Sequence, residues 1–168
     1  DLQIYNPFIP DPKIMNLLKD RTLYFHYVAP GMNKIMESAF SIAGIKTKSL
    51  PPQDDRTEEL GRKYASGLEC HPFIVTTGDI VKLTEEPDFN PHKTAILLMS
   101  YDGCCRYSQY GLSYKIALNN LGFTDVLIVN PLMSGRYEEL SGMFGLNFTQ
   151  AIWKGWLCAG VLENYLLS

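Results

Sequence analysis

The chemistry this sequence offers is thiol chemistry, carried by Cys70, Cys104, Cys105 and Cys158. Cys70 stands in Gly67-Leu68-Glu69-Cys70-His71-Pro72, a loop just ahead of an apolar helical stretch. A thiol at that place feels the positive end of the helix dipole. That end favours thiolate, the form that ligates iron or attacks an electrophile. Cys104 and Cys105 stand in Asp102-Gly103-Cys104-Cys105-Arg106, between a strand and a helix. Arg106 is placed to favour thiolate beside it and to offset the charge of an anionic cluster. Each site has a structural alternative: a buried packing thiol at 70, and a tight turn with two small residues at 104 and 105. Cys158 lies mid-helix in Trp153-Lys154-Gly155-Trp156-Leu157-Cys158-Ala159 and reads as core filling.

The histidines add little. His26 falls inside a strand and His92 in a polar loop; only His71, beside Cys70, reads as a candidate site residue. A Cys–His–Asp hydrolase can be assembled on paper from Cys70 or Cys105 with His71 or His92, but neighbours such as 70 and 71 point apart. Tyr107, Tyr110 and Tyr114, like Trp153 and Trp156, follow helical spacing and read as core or interface. The sequence contains no GxSxG, HExxH, Walker A or GxGxxG motif. It has no CxxC pair, which excludes a zinc ribbon or a thioredoxin motif, and adjacent cysteines form a strained ring if bonded to each other. So few cysteines make no disulfide scaffold, which points to a reducing compartment and a cytoplasmic protein.

A chain of 168 residues with 46% hydrophobic and 20% charged residues is expected to fold as one domain. A net charge of −3 without a basic stretch argues against nucleic acid and anionic membrane as partners. No apolar run approaches the roughly 18 residues of a membrane span, and no signal peptide is visible. The sequence starts at Asp1 without a Met and carries an apolar helix to its last residues, so the chain is expected to be a fragment of a longer protein.

The elements that must position the thiols follow from periodicity. Residues 1–20 read as an irregular lead-in, broken by Pro7, Pro10 and Pro12. Thr22–Val28 reads as a buried strand, Ile35 to Ala43 as a helix ended at Gly44, and Lys46–Leu50 as a second strand. Asp55 and Glu58 resemble a capping box before a helix through about Ala65. Phe73–Leu83 predicts a helix softly broken at Gly78. Thr94–Ser100 (TAILLMS) and Asp125–Val129 (DVLIV) predict two more strands, separated by a helix from about Ser108 to Leu121. Thr149–Leu167 predicts a last helix, apolar around most of its girth. It needs cover from a second copy, as in a homodimer, or from other parts of the same polypeptide. The alternation predicts an α/β domain over 21–168: a doubly wound, mainly parallel sheet of about four strands with helices on both faces. Both cysteine loops are then expected at its carboxyl edge, close to each other.

Four stretches carry a resemblance. Thr57–Leu83 (TEELGRKYASGLECHPFIVTTGDIVKL) is similar to the "lGrky…GkECxPf…TxGd" block of the large CoA-substrate-specific activases of 2-hydroxyacyl-CoA dehydratases. Met99–Gly111 (MSYDGCCRYSQYG) is similar to that family's "GPCRxGQY" motif. Asp125–Pro131 and Ala151–Leu162 resemble its later "dVxIxxP" and "W-K-G" segments. The likeness spans about Arg21 to Leu166, and the C-terminal part of those proteins resembles dehydratase subunits and double-cubane cluster proteins. It implies a cysteine-held [4Fe–4S] cluster and low-potential electron transfer. The implied partners are an actin-like ATPase domain of the same polypeptide and an acyl-CoA dehydratase or reductase. Cys70 and Cys105 fall where the family has cysteines; Gly67, Glu69, Pro72, Gly103, Arg106, Gln109 and Tyr110 also match. Cys104 replaces a usual proline, and Ser108 stands where glycine is common. A cluster takes about three or four thiolates. Cys104 or Cys158 is the candidate for a third, the alternative being residues outside this sequence or a second subunit.

Overall fold

The computed structural model describes residues 4–5, 12–101, 103–131, 144 and 146–167. Strands β1 (Ile4–Tyr5), β2 (Thr22–Phe25), β3 (Thr47–Ser49), β4 (Thr94–Leu97) and β5 (Leu127–Val129) form one sheet in the order β1-β5-β4-β2-β3. Every neighbouring pair is parallel. Six helices are described: α1 (Pro12–Leu18), α2 (Pro30–Ile42), α3 (Asp55–Arg62), α4 (His71–Thr84), α5 (Tyr110–Asn120) and α6 (Leu146–Leu167). This is the doubly wound α/β sheet that the alternation predicts. The chain winds from β2 out to β3, crosses back to β4, and continues through β5, so the winding reverses between β2 and β4. Among the described residues no helix is long and apolar enough to cross a membrane.

The sheet is apolar on both faces, as parallel strands must be. Period-two alternation divides β4 between two cores. Ala95 and Leu97 join Leu23, Phe25, Phe40, Leu127 and Ile152 on the side of α1, α2 and α6. Ile96 and Leu98 join Phe73, Ile80, Tyr110, Tyr114 and Leu118 on the side of α4 and α5. Two expectations need correction. The lead-in is not irregular throughout: Ile4–Tyr5 pairs with β5, and α1 buries Leu18 in the core. Pro12 does not break α1 because it is its first residue, where a missing N–H costs nothing. The cap of α3 is Asp54, not Asp55: its carboxylate accepts from the Thr57 N–H at 2.9 Å, and the Thr57 hydroxyl lies 3.4 Å from the Asp54 N–H.

Gly78 also behaves differently from expectation. It does not soften α4, which runs unbroken, but lets α4 meet α3 backbone to backbone. A Cβ at Gly78 would overlap the Thr57 carbonyl, and one at Gly61 of α3 would overlap the Ile74 carbonyl. Lys82 of α4 adds a 2.6 Å bond to the Asp54 cap. Helix α4 leads into β4 and therefore runs against the strands, whereas α5 follows β4. Both helices consequently begin at the carboxyl edge of the sheet.

Candidate functional site at the carboxyl edge

Cys70 is the N-cap residue of α4, with Pro72 in the first turn, where a ring without an N–H is tolerated. The loop before it is folded by Glu69. Its carboxylate accepts from the Ser66 N–H (2.8 Å), the Ser66 hydroxyl (2.9 Å) and the Gly67 N–H (3.0 Å). These bonds lower the Glu69 pKa, and the Ser66 bonds contribute most. Gly67 takes a left-handed φ of 92°, which accounts for glycine there. Glu69 is thus a loop organiser, and the geometry gives it no role as a ligand.

The Cys70 Sγ lies 2.6 Å from the Tyr110 hydroxyl at the start of α5. That hydrogen bond is the main influence lowering the Cys70 pKa, ahead of the nearby Phe73 backbone N–H; the Arg106 charge adds a smaller push. The Tyr110 phenol is held protonated, chiefly by burial and then by the bond to Cys70 and the charges of Cys70 and Cys105. Tyr107 is pushed up to about 12 by burial, with smaller contributions from Tyr101 and Cys105. Tyr110, at the start of the helix that the Cys105 loop enters, therefore joins that loop to the cap of α4. Tyr110 is clamped edge-on against Phe73, with ring centroids 5.1 Å apart.

Cys105 precedes a short 3-10 turn, Arg106–Gln109, that runs into α5. Its loop is closed by Ser108, whose hydroxyl donates to the Tyr101 carbonyl (2.6 Å) and accepts from the Tyr101 N–H (2.8 Å). A glycine at 108 would make neither bond. Gly103, Cys104, Cys105, Arg106 and Gln109 are exposed, and Asp102 lies outside the described residues. All four cysteines are free and exposed. This corrects the reading of Cys158 as core filling: Phe148, Thr149, Ile152 and Ala159 take the buried positions of α6, and Cys158 falls on its flank. His71 is exposed, 3.6 Å from Glu58.

The sequence reading passed over His26 and Asp79. His26 sits just beyond the end of β2, where the winding reverses. Its Nδ1 is 2.9 Å from Asp79 Oδ2 and its Nε2 is 3.1 Å from the Tyr114 hydroxyl, all three side chains being buried. Gln53 donates a further bond to Asp79 at 2.8 Å. The signal was legible as two polar residues set in apolar runs, one in a strand and one in a helix. Asp79 also borders a cavity of about 370 Å³ beyond the ends of β2 and β3, lined by Tyr24, Tyr27, Lys82 and Phe89 among others.

The thiols suit iron in kind, being soft donors with one held toward thiolate. In number they fall short, since among the described residues no three His, Cys, Asp or Glu side chains are grouped to hold a metal ion. Cys70, Cys104 and Cys105 do not by themselves form a closed ligand set. Comparison of the chain with family models, with curated proteins and with solved structures finds no match.

Proposed function

We propose that this chain is an iron–sulfur electron-transfer domain of a 2-hydroxyacyl-CoA dehydratase activase-like protein. In this reading Cys70 and Cys105, with Cys104 beside them, contribute thiolates to a [4Fe–4S] cluster whose remaining ligands come from outside the described residues. The observation that carries it is the link through Tyr110 between the Cys105 loop and the cap of α4, where a thiol at a helix start is favoured as thiolate. The motif resemblance supports the same two residues. The electron's source and destination, an ATP-driven actin-like domain and an acyl-CoA dehydratase or reductase, belong to the proposal through that resemblance alone.

Anaerobic reconstitution followed by iron and sulfide analysis tests it. The protein carrying the complete ligand set should hold iron and sulfide and show a visible charge-transfer band. Cys105→Ser and Cys70→Ser should each lose most of both while keeping the native far-ultraviolet dichroism, because an exposed loop thiol adds little packing and a hydroxyl is a poor iron ligand. Unchanged iron in either variant would sink that residue's assignment as a ligand. Iron-free protein throughout would leave a docking role for the domain, which the exposed outer face of α6 favours.

A further inference from the structure

We propose that the cavity between the β2–β3 edge of the sheet and the last turns of α4 binds a compact organic cation, an ammonium ion carrying a hydroxyl. The cavity measures about 370 Å³, within the range of small-molecule sites. Its walls are aromatic: Tyr24 of β2, Tyr27 just beyond that strand, and Phe89 from the turn after α4. The fold sets these walls in place. Phe89 stands edge-on to Phe123 with ring centroids 5.0 Å apart, and its N–H donates to the Glu86 carbonyl at 3.0 Å. Leu50, also in the lining, is buried and donates its N–H to the Phe25 carbonyl at 2.8 Å. Aromatic faces are the negative part of the ring quadrupole and attract a cation placed over them.

The charge around the cavity points the same way. Glu86 and Asp88 line it from either side of Pro87, and neither has an ion-pair partner among the described residues. Their fields meet at Tyr24, whose pKa is raised first by burial and then by Asp88 and Glu86. Helix α4 ends at Thr84, so the negative end of its dipole lies beside them. Two lysines also line the cavity, but carboxylates outside it engage both. Lys82 donates to Asp54 at 2.6 Å, and Lys48 lies close enough to Glu37 to feel its charge. A further observation points to a ligand. Asp79 is 4% exposed and borders the cavity. His26 and Gln53 both bond its Oδ2, at 2.9 Å and 2.8 Å, and Oδ1 has no partner among the described residues. A ligand hydroxyl, which can donate or accept, completes it.

The proposal does not rest on the cluster reading, and its test uses metal-free protein. Choline is titrated into the isotope-labelled chain while backbone amide resonances are followed by NMR. Its neutral isostere, with carbon in place of the charged nitrogen, and acetate are titrated in parallel. Choline should shift the amides of Tyr24, Tyr27, Asp79 and Phe89 along one saturable curve, and the neutral isostere should bind about ten-fold more weakly. Glu86→Gln and Asp88→Asn should each weaken choline several-fold. Both positions are exposed, so neither change should disturb the fold. Lys48→Ala should leave choline binding as tight or tighter. Choline shifts that do not saturate or that miss the cavity overturn the proposal. So do equal affinities for choline and its isostere, tighter binding of acetate, or unchanged binding in both acid variants.

Discussion

Helices α4 and α6 are both rich in apolar residues, yet the fold treats them in opposite ways. Helix α4 is enclosed: Phe73, Ile74, Ile80, Val81 and Leu83 are buried between the sheet, α3 and α5. Its polar groups are tied at three points, by Tyr110 at its cap, by His26 and Gln53 at Asp79, and by Asp54 at Lys82. Among the described residues, helix α6 is held from one side only. Ile152 and Ala159 are buried, while Leu157, Val161, Leu162, Tyr165 and Leu166 are each more than 60% exposed. Trp156 Nε1 and Glu163 Oε1 are buried without a hydrogen-bond partner among the described residues. The difference teaches that apolarity alone does not locate the site. The thiols gather where an apolar helix is also pinned by polar bonds at defined points, which is what holding a sulfur at one position requires.

The largest way to break this contrast is at Gly78. An added methyl there meets the Thr57 carbonyl, which is backbone and has no rotamer to yield. Gly78→Ala should cost about 3 kcal/mol in urea unfolding, and should loosen the Asp54–Lys82 tie along with the α3–α4 seam. A cost under about 0.5 kcal/mol, the range of an ordinary surface change, would show that the two helices are not in backbone contact.

The fold was largely legible before the structure, for a reason visible in β4 and β5. Apart from Thr94, Ser100 and Asp125 at their ends, TAILLMS and DVLIV are apolar at every position, and a short run that is apolar on both faces suits a parallel sheet covered on both sides. The registers of the loops were less legible. Asp54 and Asp55 both qualify as caps, and only the extended backbone of Asp54 (φ −138°, ψ 179°) decides between them. Helix starts placed Cys70 and Cys105 at one edge. Nothing local names Tyr110 as the partner of a sulfur 40 residues earlier, because that contact exists only once α4 and α5 lie side by side. Cys158 was misread since a helix apolar around its girth does not declare which face is turned inward. His26 was read only as a strand residue and Asp79 was not singled out, because the meaning of each lies in the other.

A smaller effect sharpens the contrast at the start of α3. The Asp54 carboxylate is held down to about 2 by its bonds to Lys82 and then to the Thr57 N–H and hydroxyl, against an ordinary value of 3.8. Its folded pKa is depressed, so the stability it contributes is fully present above the ordinary value. That stability is lost as pH falls toward about 2. Asp54→Asn should flatten the acid limb of the stability curve between those values and lower stability at neutral pH, where the native carboxylate is charged. Acid titration followed by circular dichroism reads this directly. An acid limb unchanged by the substitution would mean that the cap does not tie α3 to α4.

The smallest expected change falls on α6, and its smallness is the point. Leu157 and Val161 are 67% and 70% exposed, so their side chains have gained little burial on folding. Leu157→Ser and Val161→Ser should each alter the unfolding free energy of the isolated chain by no more than about 0.5 kcal/mol. Ile152→Ser, on the buried face of the same helix, should cost several times as much, since it both empties a packed site and buries a hydroxyl. Unfolding should be followed at low protein concentration, so that association contributes nothing to the measured value. Equal losses at positions 152 and 157 would mean that α6 is enclosed as α4 is, and the contrast between the two helices would go with it. A large gap between them would show that α6 adds to the chain's own stability through its inner face alone.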